Sequence, residues 1–247
     1  MTEKTEKAWK AIGAVAGLII AAVGTYAALV SAGVLVNPRA DKAEASTELT
    51  TQKSLSADIA RGVTRNLPFG GYTWRVLDMQ GDRALLITEE IIEQRSYHDE
   101  TVDVTWETCT LRTYLNSEFY RKFSAQEQAM ILETSITNAD NQWYGTNGGR
   151  STRDKVFLLS LEEVVKYFGD SGQLENRNPN SEYLIDDKYN GERVAYFVYN
   201  SGFWWWLRSP GFVLYHAAYV DTDGDSTLLG DWVNRKGGVR PALWYKL

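Results

Sequence analysis

The hydrophobic pattern divides the chain into two unlike parts. The first apolar block, residues 11–36, holds 26 residues without one charge. At 1.5 Å rise per residue that is long enough to cross a hydrocarbon core of roughly 30 Å. Lys4, Lys7 and Lys10 precede it, Arg39 and Lys42 follow it, and Trp9 stands where an interfacial anchor stands. The small basic excess on the N-terminal side places that end in the cytoplasm. The pattern predicts a cytoplasmic tail over 1–10, a single transmembrane helix over 11–36 and a polar juxtamembrane linker over 37–66. A long signal peptide cut near residues 31–33, or a buried Ala-rich helix, would leave a similar pattern.

From Leu67 onward the periodicities are those of a folded domain. Trp74 and Val76, then Leu85 and Ile87, give the two-residue period of strands over 72–78 and 83–88, joined by a turn at Gln80, Gly81 and Asp82. Leu111, Tyr114, Leu115, Phe119 and Phe123 recur at three and four residues and predict a helix over 110–122. Ser124 with Glu127, and Ser160 with Glu163, have capping-box spacing and open two further helices, the second ending at Gly169. Residues 138–150 and 170–190 read as polar loops, and 156–159 as a short strand. The last third is strand-like and aromatic: three tryptophans at 204–206, a strand over 217–221 entering a turn at Asp223 and Gly224, and a closing strand over 239–245. Helices come early and strands late, the order of an α+β domain.

Composition narrows the chemistry. The 247 residues carry 26 basic and 32 acidic side chains; residues 37–247 keep 23 and 30 of them. That acidic balance argues against a nucleic-acid backbone as partner. One cysteine excludes an internal disulfide, a Cys-based zinc site and a CxxC redox pair, and two histidines leave little for His-rich metal catalysis. The abundant side chains are aromatic: 9 Trp, 14 Tyr and 8 Phe.

An ordered set of segments carries a family resemblance: TWRVLD from Thr73, WETCTLRTYLNSEF from Trp106, DKVFLLSLEEVVKYF from Asp154, WWLRSPG from Trp205 and GVRPAL from Gly238. Residues 67–247 thereby resemble the bacterial DUF6273 domain family. The WWLRSPG and GVRPAL pair also resembles the C-type-lectin-like fold of formylglycine-generating enzymes and retroelement-diversified proteins. That resemblance implies helices bracing a twisted antiparallel sheet, with late loops presenting a ligand surface.

Most single candidates for chemistry read as structure. Cys109 sits among aromatics at a helix start, the setting of a buried thiol; formylglycine chemistry needs a second cysteine that this chain lacks. Asp221, Asp223 and Asp225 open like a calcium loop, but Gly224 stands two places too early for an EF-hand and Trp232 occupies the place of its final Glu. A hairpin turn with solvated acids fits them, and neither a metal site nor a cofactor is expected. His98 and His216 lack ligand spacing. Ser209 is expected to turn the chain after a buried strand, and Arg208 and Arg240 to pair with buried carbonyls or carboxylates. Trp204 and Trp206 should share one face of a strand and Trp205 the other, two of the three packing in the core.

The stretch 212–231 stands apart. Met, Trp, Lys, Gln and Glu make up 47 of the 247 residues, and none occurs in these 20 positions. Those five are the residues that an NNC codon, the product of adenine-directed diversification of AAC, cannot encode. This stretch, extended to Trp232 at its edge, supplies the candidate ligand contacts: Phe212, Val213, Leu214, Tyr215, His216, Tyr219, Asp221, Asp223, Asp225 and Trp232. An ordinary irregular loop and hairpin would show the same composition by chance. The leading reading is a single-pass, membrane-anchored protein with an extracytoplasmic domain that binds a protein or glycan and is not an enzyme. An enzyme acting on a surface substrate, and a structural cell-surface module, are the other two.

Overall fold

The computed structural model describes residues 66–177, 183–197 and 201–247. The expected tail, transmembrane helix and linker lie outside the described residues. Among the described residues no helix is long and apolar enough to cross a membrane.

Two sheets share one core. The first has five strands in the order β1 (Asn66–Phe69), β2 (Tyr72–Gln80), β3 (Arg83–Thr88), β15 (Ala242–Lys246) and β5 (Ile131–Leu132), antiparallel throughout. The β2–β3 hairpin turns at Gly81, whose φ of 63° is a glycine conformation. Five consecutive residues of β3, Ala84 to Thr88, are buried, so both faces of this strand are covered. Its partner β15 comes from the far end of the chain, so early and late strands close one sheet.

The second sheet runs β4 (Glu93–Ser96), β14 (Lys236–Val239), β11 (Trp205–Pro210), β12 (His216–Val220), β13 (Ser226–Trp232) and β8 (Leu184–Ile185). Only β11 and β14 pair in parallel. Two short ladders stand apart, β6 (Thr134–Ile136) with β7 (Thr152–Asp154) and β9 (Tyr196–Phe197) with β10 (Ser201–Gly202). The domain is thus α+β with sheet predominating.

The first helix keeps its expected buried face but not a uniform winding. Helix α1 (Thr110–Tyr114) widens into a π-helical turn over Leu115–Phe119 and tightens into a 3₁₀ turn over Tyr120–Lys122. Leu111, Tyr114, Leu115, Phe119 and Phe123 are all buried. Both capping boxes form. Ser124 and Glu127 cap α2 (Ala125–Met130), and Ser160 and Glu163 cap α3 (Leu161–Phe168). Helix α3 buries Leu161, Val164, Val165 and Phe168, and Gly169 ends it at φ 127°. A four-residue helix, α4 (Asn190–Arg193), follows β8. The expected loop over 170–190 is therefore broken by a short strand.

Three expectations about the strands change. Residues 156–159 are not a strand. The Asn116 side chain takes over the backbone groups of Lys155 and Val156, Phe157 makes a single bridge to Ala242, and the Leu159 carbonyl accepts from Arg208 N–H. The segment is a buried strut between helix and both sheets. The expected closing strand over 239–245 is two strands in different sheets. Pro241, without an N–H, marks the crossing, and the Arg240 side chain turns inward to the carbonyls of Thr88 and Glu89. Ser209 does not turn the chain; it lies within β11, and its Oγ accepts from Leu161 N–H at the start of α3.

The tryptophan triplet behaves as its alternation requires. Trp205 and Trp206 are fully buried, Trp204 is half-buried, and Trp204 packs edge-on against Trp206 at 4.7 Å.

Candidate functional site: an aromatic surface on the β11–β13 hairpins

The loop after β11 is held at nearly every peptide. The N–H of Gly211 donates to His216 O, that of Phe212 to Leu229 O and that of His216 to Val213 O. The Leu214 carbonyl accepts from Val104 N–H and the Tyr215 carbonyl from Val233 N–H. Asn141, only 1% exposed, donates its Nδ2 to the carbonyls of Pro210 (2.9 Å) and Leu228 (2.8 Å), tying the loop to β13. Thr146 Oγ1 donates to Phe212 O at 2.8 Å. The approach of loop to strand needs glycine: a Cβ on Gly230, at φ 75°, would sit 2.5 Å from Ala217 O and 2.9 Å from Gly211 Cα. A loop so anchored presents its side chains without ordering them at the moment of binding.

Those side chains form one aromatic cluster. The rings of Tyr215 and Trp232 stack at 5.1 Å and 26°. His216, 9% exposed, lies between Trp232 (4.9 Å), Tyr215 (5.2 Å) and Phe212 (4.9 Å). Phe212 meets Tyr144 at 6.1 Å, and Arg177 lies over the Tyr144 ring at 5.5 Å. Phe212 and Trp232 are 37% and 45% exposed, among the most exposed large apolar side chains described. Val213 and Leu214 are half-buried beside them.

The ten candidate contacts do not form one surface. In the β12–β13 ladder His216 pairs with Trp232, while Val220 pairs with Ser226 at the other end. At about 3.3 Å per residue the aromatic end and the acidic turn are roughly 15 Å apart. The segment is also partly core: His216, Ala217, Ala218, Val220 and Leu228 are buried, and changes at those positions would have to repack it. Tyr219 belongs to neither end, packing against Trp204 at 5.2 Å and Trp206 at 6.5 Å. Burial, reinforced by the nearby carboxylates of Asp221, Asp231 and Asp225, raises its hydroxyl pKa.

At the acidic turn Asp221, Asp223 and Asp225 bring carboxylate oxygens within 4.8 Å of one another. Gly224, at φ 93°, lets the turn pass close to Asn190 O. Burial, then the charges of Asp223 and Asp221, push the Asp225 carboxyl up to about 7. Three such oxygens match part of the coordination of a hard divalent cation, which takes six or more.

The remaining candidates are structural. Burial pushes the Cys109 thiol up to about 12, and its sulfur accepts from Arg112 N–H. His98 Nδ1 accepts from Thr110 N–H. Arg208 donates to Leu158 O and Thr137 O and pairs with Glu163. Sequence reasoning missed Asn141 and Tyr144, which lie in a glycine-rich loop whose polarity has no period to separate a buried anchor from its neighbours.

The model of the family described as a domain of unknown function, DUF6273, matches residues 81–247. The match begins inside the β2–β3 turn, yet β1 and β2 complete the first sheet, so the folded unit extends at least to Asn66. No curated protein and no solved structure matches the chain.

Proposed function

The chain belongs to the DUF6273 family, and we propose that it is a recognition protein. Residues 11–36 anchor it in a membrane as a single-pass protein, and the domain stands on the extracytoplasmic side in a C-type-lectin-like arrangement. It binds a protein or glycan ligand through Phe212, Tyr215, His216 and Trp232. One observation carries this reading: an aromatic cluster that is partly exposed while the loop beneath it is bonded at almost every peptide. Exposed aromatic anchors on a rigid frame are where binding energy concentrates. The reading includes diversification of the outward positions of 212–231.

Full-length protein displayed on beads, screened against a glycan array and against a library of extracellular proteins, tests it. Saturable binding that is lost in Tyr215→Ala and Trp232→Ala supports the reading and assigns the ligand class. Binding that survives both substitutions, or none in either screen, overturns it. A repeat template in the encoding DNA that differs only at adenines would support diversification; substitutions spread over third bases would sink it.

A further inference from the structure

A second concavity, lined by none of the residues of the aromatic cluster, lies between β4, the first helix and the start of β14. It encloses about 480 Å³, within the range of small-ligand pockets. Its wall is fixed. The Tyr114 hydroxyl donates to the Glu93 carboxylate and accepts from Lys122 Nζ at 3.1 Å. The Arg95 guanidinium lies 3.5 Å over the Tyr114 ring and donates from Nε to Glu93 Oε2 at 2.9 Å. The helix changes winding at this wall. The π-helical turn over Leu115–Phe119 carries Ser117 and Glu118 on the lining. Such turns interrupt the ordinary ladder at some cost and recur at functional sites.

The lining also holds charges of both signs that are not spent on each other. Asp99, Glu118 and Lys236 all line the cleft, are exposed, and make no ion pair among the described residues. Thr110 and Thr113 line the cleft on the helix side. A cleft with a free cation on one strand and free carboxylates on the facing loop and helix matches a ligand that carries both charges.

We propose that this cleft binds a small zwitterion of amino-acid or dipeptide size, its carboxylate at Lys236 and its ammonium at Asp99 and Glu118. The site does not involve the aromatic cluster and stands or falls without it.

Calorimetry and thermal shift on the full-length chain test it, with L-alanyl-L-alanine and the protein amino acids as probes. Saturable binding of at least one probe is expected. N-acetyl-L-alanyl-L-alanine, without the ammonium, and L-alanyl-L-alaninamide, without the carboxylate, should each bind about tenfold more weakly or not at all. Lys236→Met and the Asp99→Asn, Glu118→Gln double variant should each lose about tenfold in affinity. All three changed side chains are exposed, so the fold should survive. Met79→Ala, at an exposed position on β2 outside both surfaces, should bind the probes as the parent does. No saturable binding by any probe, or equal affinity in the charge variants, overturns the proposal.

Discussion

Tyr215 and Trp232 stack face to face, 5.1 Å apart and 26° from parallel, although 16 residues separate them in the chain. The pair closes the loop after β11 onto the end of β13, and Val233 N–H bonded to Tyr215 O holds the same junction from the backbone. An aromatic pair contributes about 0.5–1.5 kcal/mol beyond its burial. With Trp232 45% exposed, Trp232→Ala should therefore cost about 1 kcal/mol or little more in urea denaturation. Trp206→Ala, at a fully buried position, should cost about 3–5 kcal/mol in the same assay. Equal losses in the two variants would place Trp232 in the core and remove the basis of the proposed surface.

Cys109 should be chemically silent in the folded protein. Burial raises its thiol to about 12, and its sulfur is engaged at the cap of α1. The thiolate is the reactive species, so almost none exists at pH 8. A thiol-labelling reagent such as DTNB should react with less than one equivalent over hours in buffer, and with one equivalent promptly in denaturant. Prompt labelling without denaturant would show that the thiol is accessible.

Arg240 is fully buried, and its guanidinium bonds to the carbonyls of Thr88 and Glu89 while lying 5.0 Å over the Trp205 ring. Burial, then the charge of Arg75, lowers its pKa to about 9, against the pull of Glu89. Arg240→Ala strands two carbonyls and opens a cavity at the point where the chain crosses from one sheet to the other. A loss of about 3 kcal/mol or more is expected from those two effects together. Arg240→Lys keeps the charge but not the planar fork and should recover only part of it. Full recovery by Lys would mean that charge alone matters there.

These residues also show what the sequence could reveal. The β2–β3 hairpin, both capping boxes and the alternation of Trp204, Trp205 and Trp206 depend on neighbours within a few positions, and local pattern exposes them. The strut over 156–159 is apolar like a buried strand, but whether it enters a ladder depends on Asn116, some 40 residues away, satisfying its peptides first. The split of 239–245 depends on where Arg240 can bury its side chain, which no periodicity records. The ten candidate contacts are neighbours in sequence but not in space. Register placed the aromatics at one end of the β12–β13 ladder and the acids at the other. Asn141, which fixes the loop beneath the aromatics, had no local signature at all.

The acidic turn gives a pH dependence with a definite sign. Burial, then the neighbouring charges of Asp223 and Asp221, raise the Asp225 carboxyl from 3.8 to about 7 in the fold. Between those two values the folded chain holds a proton at Asp225 that the unfolded chain has released. The folded state then binds more protons, so this group's contribution to stability falls as pH rises across the window. Its penalty is absent below about 4 and complete above about 7. Asp225→Asn, neutral at every pH, escapes the penalty. The variant should melt higher than the parent at pH 8, and the gap should close progressively towards pH 4. Comparing variant with parent at each pH cancels the titration of every group that does not interact with Asp225. A melting-temperature difference that stays constant from pH 4 to pH 8 would show that Asp225 ionises in the fold as it does in the open chain.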